Sequence, residues 1–282
     1  MNKLKVNYLS NKEILKEIHK SKNSFSSFTI KDYADYDIIL SSIDKINVKT
    51  LAEGKKLRAD RLAKQAFEQA SLHSKTKLSL KDFEVDLSSI NNSDVIFRIM
   101  TYAHIPTAPG RKKTVKRSAD KHAKLNFPPF QHWKYDEHGN LHCVGKSHWK
   151  GDVEHGQFSI SHGRITERLG AMFLKLCERY GTRSNVRGYS YNDEMQGQAI
   201  LQLSQVGLQF DESKSQNPFA YYTAAVYHSF VRIINLEKRN QNIRDDILEI
   251  NGLNPSWTRQ GDNEFGIISD NSGSVDNDSD YN

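Results

Sequence analysis

Aromatic and cationic side chains recur at helical spacing in the last third of the chain. Tyr221, His228, Arg232, Asn235 and Arg239 follow one another at intervals of seven, four, three and four residues. This spacing places them on one stripe of a helix. Because rings stack on bases and cations pair with phosphates, the stripe favours nucleic-acid binding. A solvated face on an ordinary amphipathic helical hairpin is the alternative that the residues alone leave open.

A second group of candidate chemical residues lies in the segment 126–163, which is rich in Pro, Gly, His and Trp. Six histidines accompany one cysteine there: His132, His138, His142, His148, His155, His162 and Cys143. Histidine and cysteine are common zinc ligands, and a turn at 138–140 would also fit a nuclease of the His-Asn-His type. However, the paired close ligands of a structural zinc site are missing. We therefore expect surface or packing histidines, no metal site, and a β-hairpin around 137–140.

Two helices are predicted to position the aromatic stripe. The first begins at Asn192, whose side chain can cap the opening turn, and Asp193 and Glu194 suit its positive end. Its apolar residues share one face: Met195, Ala199, Leu203, Val206 and Phe210. After a polar turn, Asn217 and Pro218 are expected to cap and open the second helix. Its buried face is predicted to hold Phe219, Tyr222, Val226, Phe230 and Ile233.

This hairpin resembles region 2 of bacterial sigma factors. In that family an acidic-apolar helix ends in Phe and an acidic residue, and the next helix opens on Phe-x-x-Tyr. Phe210-Asp211 and Phe219-Ala220-Tyr221-Tyr222 stand at these places. More closely, NPFAYYTAAVYHSFVRIINLEKRNQNIRDD is similar to the late-transcription sigma factors of T-even-type phages, especially those of marine, cyanophage-like relatives. SNKEIL near the N-terminus and NPSWTRQ near the C-terminus also resemble that family, so the resemblance covers most of the chain.

The resemblance implies a phage-encoded factor, not an enzyme, that binds bacterial core RNA polymerase in the cytoplasm of the infected host. It would direct the recognition and melting of late promoters that carry a TATA-like −10 element. The first helix would dock on the polymerase through Glu194, Gln198, Gln202 and Gln205. The second helix would hold promoter DNA through Tyr221, Tyr222, Tyr227, His228, Arg232, Lys238, Arg239 and Arg244.

The chain departs from primary sigma factors in ways that imply helper proteins. Ala225 and Val226 stand where those factors carry a Trp pair, and we find no second helix-turn-helix for an upstream −35 element. Gln198 also replaces an acidic docking residue. In the phage family the helpers are a coactivator and the phage sliding clamp. The acidic tail contains an apolar patch of Phe265, Ile267 and Ile268. The clamp is expected to bind this patch; the alternative is a tail without a binding role.

Composition independently favours an anionic partner. The 282 residues carry a net charge of +6 with a pI near 9.1, and nucleic acid is the commonest partner of such a balance. Two cysteines argue against a disulfide framework. No apolar run approaches the ~18–20 residues of a membrane span, and residues 1–13 lack a signal-peptide core. A DNA-binding regulator without polymerase docking is the second functional hypothesis.

We expect a mainly α fold in four regions. A mostly helical N-terminal part of α or α+β type covers 1–105, with one helix at 50–72. A basic and His/Pro-rich linker or hairpin covers 106–160, a helical unit resembling sigma region 2 covers 161–245, and a tail with a disordered acidic end covers 246–282. The second region contains a basic arm for phosphates, or else a solvated surface: Arg111, Lys112, Lys113, Lys116, Arg117, Lys121 and Lys124.

Overall fold

A computed structural model of the chain describes residues 9–73, 79–108, 121–160 and 163–261. Its helices are α1 (Asn11–Ser24), α2 (Val48–His73), α3 (Glu167–Gly181), α4 (Asn192–Val206) and α5 (Pro218–Ile250). Its strands are β1 (Ser26–Phe28), β2 (Ile38–Leu40), β3 (Ile96–Met100), β4 (Phe130–Tyr135), β5 (Leu141–Ser147), β6 (Trp149–Lys150) and β7 (Gln157–Phe158). Most of the predicted basic arm and of the acidic tail lies outside the described residues. The clamp-binding candidates Phe265, Ile267 and Ile268 lie outside them as well.

The described residues form an α+β fold, so the prediction of a mainly α fold is wrong. Five strands make one mixed sheet in the order β1-β5-β4-β3-β2, in which β2 is parallel to β3 and the other pairs are antiparallel. A separate two-stranded sheet joins β6 to β7. The edge strands β1 and β2 have only three residues each, which is too short for the alternation that identifies a strand in sequence.

Several local predictions are confirmed. The helix expected at 50–72 is α2, and the hairpin expected around 137–140 joins β4 to β5, with Gly139 at φ +83° in its turn. The Asn217 side chain accepts the N–H of Ala220 and Pro218 opens α5, as the sequence predicts. At α4 the predicted cap is wrong. The Asn192 amide instead donates to the carbonyls of Gly181 and Val186, which ties the start of α4 to the end of α3.

Two cores meet across the sheet. The larger one joins α1 to α3, α4 and α5 through residues that are almost completely buried: Ile18, Leu169, Met195, Leu203, Tyr222 and Phe230. The smaller one lies between the sheet and α2, where Phe97 and Ile99 pack with Ala59. Gly54 allows this packing, because a Cβ there would lie 2.7 Å from Val95 Cγ1. The N-terminal helix therefore shares its core with the C-terminal helices.

Among the helices of the described ranges, none is long and apolar enough to cross a membrane.

Tyr222 makes the α4–α5 packing testable. Its ring lies edge-on to Phe173 with centroids 4.9 Å apart, and its buried hydroxyl donates to the Gly207 carbonyl. Tyr222→Phe should lower the free energy of unfolding by about 1–3 kcal/mol, because the buried carbonyl loses its donor. Urea unfolding followed by circular dichroism measures this. Tyr227→Phe is the matched control, since that side chain is 48% exposed and should leave stability unchanged.

Candidate polymerase and nucleic-acid interface

The four docking candidates share the outer face of α4. Helical spacing places Glu194, Gln198, Gln202 and Gln205 on one stripe. Glu194 and Gln205 are exposed and the other two are half-buried. The opposite face of α4 is fixed in the core, because its residues there are fully buried: Met195, Ala199 and Leu203. The stripe is therefore presented to solvent on a helix whose rotation is set by its buried side.

The DNA-binding candidates lie along α5, but not all of them face one way. At roughly 100° per residue, Tyr221, His228, Arg232 and Arg239 form one stripe. Tyr227 and Lys238 are rotated from this stripe by roughly 110° and Arg244 by roughly 140° in the other direction. All except Tyr221 and Tyr222 are exposed. The predicted set therefore divides into one continuous stripe, one tyrosine and two cations on its flanks, and the buried Tyr222.

The α4 stripe and the α5 stripe meet in a groove of about 410 Å³. It is lined by Gln202, Val206, Tyr221, Ala224, Ala225, His228, Ser229 and Arg232. One docking candidate is thus brought together with three DNA-binding candidates. The floor is apolar and small, and the rim carries an imidazole and a guanidinium. This combination can accept a flat ring beside a negatively charged group.

Tyr221 stands at the edge of this groove in a fixed orientation. Its ring lies edge-on to Phe210 with centroids 5.6 Å apart, and its hydroxyl donates to the Val206 carbonyl at 3.4 Å. These contacts leave the ring half-buried. Ala225 lines the groove, and its methyl side chain leaves the groove open.

Two predicted roles on α5 require correction. Tyr222 was predicted to stack on bases, yet its side chain is fully buried between the helices, so it belongs to the core in this arrangement. Phe219 was predicted to be buried, yet it is 37% exposed at the first turn of α5, where its N–H donates to the Asn11 side chain. The tyrosines at 221 and 222 differ because adjacent helical residues point about 100° apart.

The histidines of the segment 126–163 are dispersed. His132 is fully buried, donates from Nδ1 to the Tyr33 carbonyl and accepts from Arg98 Nε at 2.9 Å. Burial lowers the pKa of His132 well below its ordinary value and that of His148 to about 3. His138 and His142 are exposed in the hairpin, and His162 lies outside the described residues. Within the described ranges, no group of three His, Cys, Asp or Glu side chains is placed to hold a metal ion.

A buried charge cluster that the sequence analysis missed anchors the turn between α4 and α5. Lys22 of α1 donates from Nζ to Glu212 Oε1 at 2.8 Å and to the Phe210 carbonyl at 2.7 Å. Arg98 of β3 places its Nη1 4.0 Å from Glu212 Oε2. All three charged side chains are nearly inaccessible to solvent. The polar turn of the hairpin is thereby attached to both the N-terminal helix and the sheet.

Arg98 is held mainly by aromatic rings. Its guanidinium carbon lies 3.8 Å from the ring centroid of Tyr36 and 3.9 Å from that of Phe130. Its Nη1 and Nη2 atoms make no hydrogen bond within the described residues. Burial lowers the pKa of Arg98 and of Lys22. Burial acts to raise the pKa of Glu212, but Lys22, Arg98 and His19 together hold it below its ordinary value. Glu212 therefore compensates two buried cations.

Comparison of the chain with protein-family models, with curated proteins and with solved structures finds no match.

Glu212→Gln tests the cluster. Removing the shared anion leaves Lys22 and Arg98 uncompensated, so the free energy of unfolding should fall by about 3–5 kcal/mol at pH 7. Glu249→Gln is the matched control, because its partner Arg259 lies at the surface and the change should cost less than about 1 kcal/mol.

The pH dependence gives a second criterion for Glu212→Gln. The folded state holds the pKa of Glu212 below its ordinary value of 4.5. Its contribution to stability is therefore present above that pH and lost as the pH falls through the lower folded value. Urea unfolding should show the difference between wild type and variant narrowing toward pH 3. Equal stabilities at pH 7 would contradict the anchoring role.

Proposed function

We propose that this chain is a phage-encoded sigma factor that binds bacterial core RNA polymerase and directs the recognition and melting of late promoters. The observation that carries the proposal is the α4–α5 hairpin. The stripe on α4 consists of carboxylate and amide side chains, and the stripe on α5 consists of aromatic and cationic side chains. The two stripes adjoin at one groove. The resemblance of the same hairpin to sigma region 2 supports this division between polymerase and DNA.

In this proposal the polymerase is bound by α4. Glu194 is exposed in the first turn of the helix, where it can meet a basic partner, and Gln205 extends the contact along the helix. Gln198 and Gln202 offer amides in place of carboxylates, so docking depends more on hydrogen bonds than on charge. A contact of this kind is less sensitive to salt than one made by several carboxylates.

The promoter is bound by α5 and by the groove. Tyr221 stacks on an unpaired base at about 1–3 kcal/mol, as aromatic side chains do in single-strand binding proteins. His228, Arg232 and Arg239 contact the backbone along the same stripe, and Tyr227, Lys238 and Arg244 contribute from its flanks. A TATA-like −10 element suits this device because A/T-rich steps open at low cost.

The absence of a tryptophan wedge makes the factor dependent on helpers. At the place of that tryptophan, Ala225 contributes only a methyl group to the groove. The resemblance to the late-transcription sigma factors of phages adds a late-transcription coactivator and the phage sliding clamp to the proposed partners. The clamp would bind through Phe265, Ile267 and Ile268, and the site of action would be the cytoplasm of the infected bacterium.

Glu194→Lys tests polymerase docking. Charge reversal on the exposed stripe should reduce retention of bacterial core RNA polymerase in a pull-down about tenfold, and run-off transcription from a TATA-like template should fall with it. Glu167→Lys is the control, because Glu167 is also an exposed acid in the first turn of a helix. If the wild type and Glu167→Lys both fail to retain polymerase but still bind DNA, the protein is a DNA-binding regulator without polymerase docking.

Tyr221→Leu tests base capture. Leucine preserves apolar packing against Phe210 but removes the stacking ring, so promoter melting in the polymerase complex should decrease by the ~1–3 kcal/mol of one stacked base. Permanganate reactivity of unpaired thymines measures the melting, and a pull-down checks that polymerase affinity is retained. Tyr189→Leu, an exposed tyrosine before α4, should change neither quantity. Parallel loss of melting and polymerase affinity would assign Tyr221 to packing alone.

A further inference from the structure

A cleft of about 550 Å³ lies between α1 and α2 and shares no residue with the α4–α5 groove. Its lining comes from both helices and from one loop residue, Asp35. The α1 side contributes Lys12, Leu15, Lys16, His19, Lys20 and Asn23. The α2 side contributes Leu57, Asp60, Arg61, Lys64, Gln65 and Glu68. No role was predicted for this part of the chain.

Positive charge predominates in the cleft. Five Lys and Arg side chains and three Asp and Glu side chains line it, which leaves two positive charges in excess. Lys12 pairs with Glu68 across the cleft, Lys20 pairs with Glu17 of the same helix, and Arg61 pairs with Asp35 and Asp37. Lys16 and Lys64 are exposed, one on each wall. Within the described residues neither of these two ammonium groups has an ion pair, so both are available to a ligand.

The cations on α1 are regularly spaced. Lys12, Lys16 and Lys20 are four residues apart, so they form a row with about 6 Å between successive positions and about 12 Å from end to end. Leu15 and Leu57 lie between the walls. A ligand for this cleft should therefore carry repeated negative charges and a partly apolar body.

We propose that the α1–α2 cleft binds the sugar–phosphate backbone of a nucleic acid. Phosphates supply repeated charge that flexible lysines can neutralise without defined geometry, and sugars can pack on the two leucines. An acidic peptide helix fits less well, because such helices anchor through apolar side chains at three or four positions, whereas the described lining of the cleft offers Leu15 and Leu57. The site does not depend on the role proposed for α5.

The test combines two neutral substitutions with salt titration. Binding of Lys16→Gln/Lys64→Gln is measured by fluorescence anisotropy with a labelled 30-base-pair duplex that lacks promoter sequence, and with one of its strands. Losing two phosphate contacts should reduce the slope of log affinity against log salt by about 1.8 for duplex or about 1.4 for the single strand. Affinity at low salt should fall about tenfold or more. The probe that loses affinity identifies the form that the cleft prefers.

The control is Lys49→Gln/Lys81→Gln, which has the same net charge but replaces exposed lysines outside the cleft. It should keep the wild-type slope. Because no polymerase is present, the result is independent of the docking hypothesis. Adding Arg232→Ala to Lys16→Gln/Lys64→Gln should reduce the affinity for DNA further, because Arg232 lies at the separate α4–α5 groove.

Two outcomes would overturn the proposal. One is equal affinity and slope for the cleft variant and its control with both probes. The other is unchanged DNA binding together with loss of affinity for a synthetic peptide of residues 262–282, which would make the cleft a site for an acidic peptide.

Discussion

Glu212 lies between two buried cations, and the position of the α4–α5 hairpin depends on it. Lys22 arrives from α1 and Arg98 from the sheet, so one carboxylate joins three parts of the fold. Burying three charges is costly, and removing one of them leaves the others uncompensated. If the turn moved away from α1, Glu212 would leave Lys22 and Arg98 without a compensating anion. The cluster therefore favours one placement of the turn over compact alternatives, which hydrophobic packing alone does not distinguish.

Much of the helical part follows from local signals. Asn217 and Pro218 define the start of α5, and apolar spacing identifies the buried faces of α4 and α5. The same spacing placed Tyr222 on the buried side, while the resemblance to sigma factors assigned it to DNA; the structure favours the former. Residues at the edge of a face are harder to predict. Phe219 is exposed because it lies in the first turn of α5, where no element of the described ranges covers it.

The sheet and the charge cluster could not be read from the sequence, because both depend on distant pairings. Ser26 of β1 pairs with Ser147 of β5, and the parallel pair β2–β3 joins Ile38 to Phe97. No local pattern indicates which three-residue segments will pair. Arg98 lies in an apolar run and Lys22 in an amphipathic helix, where long cations ordinarily reach solvent. Their burial is explained only when Tyr36, Phe130 and Glu212 are brought around them.

α1 connects the two proposed nucleic-acid surfaces. Its inner side places Ile14 and Ile18 in the core with α3–α5, whereas its outer side places Lys12, Lys16 and Lys20 along the cleft. The lysine row is therefore fixed in orientation relative to the groove on α5, with no linker between them. Two weak sites on one rigid body bind a continuous ligand more tightly than either site alone, provided that their spacing matches it. A backbone contact at α1 would then orient the nucleic acid on the α5 groove without any base recognition of its own.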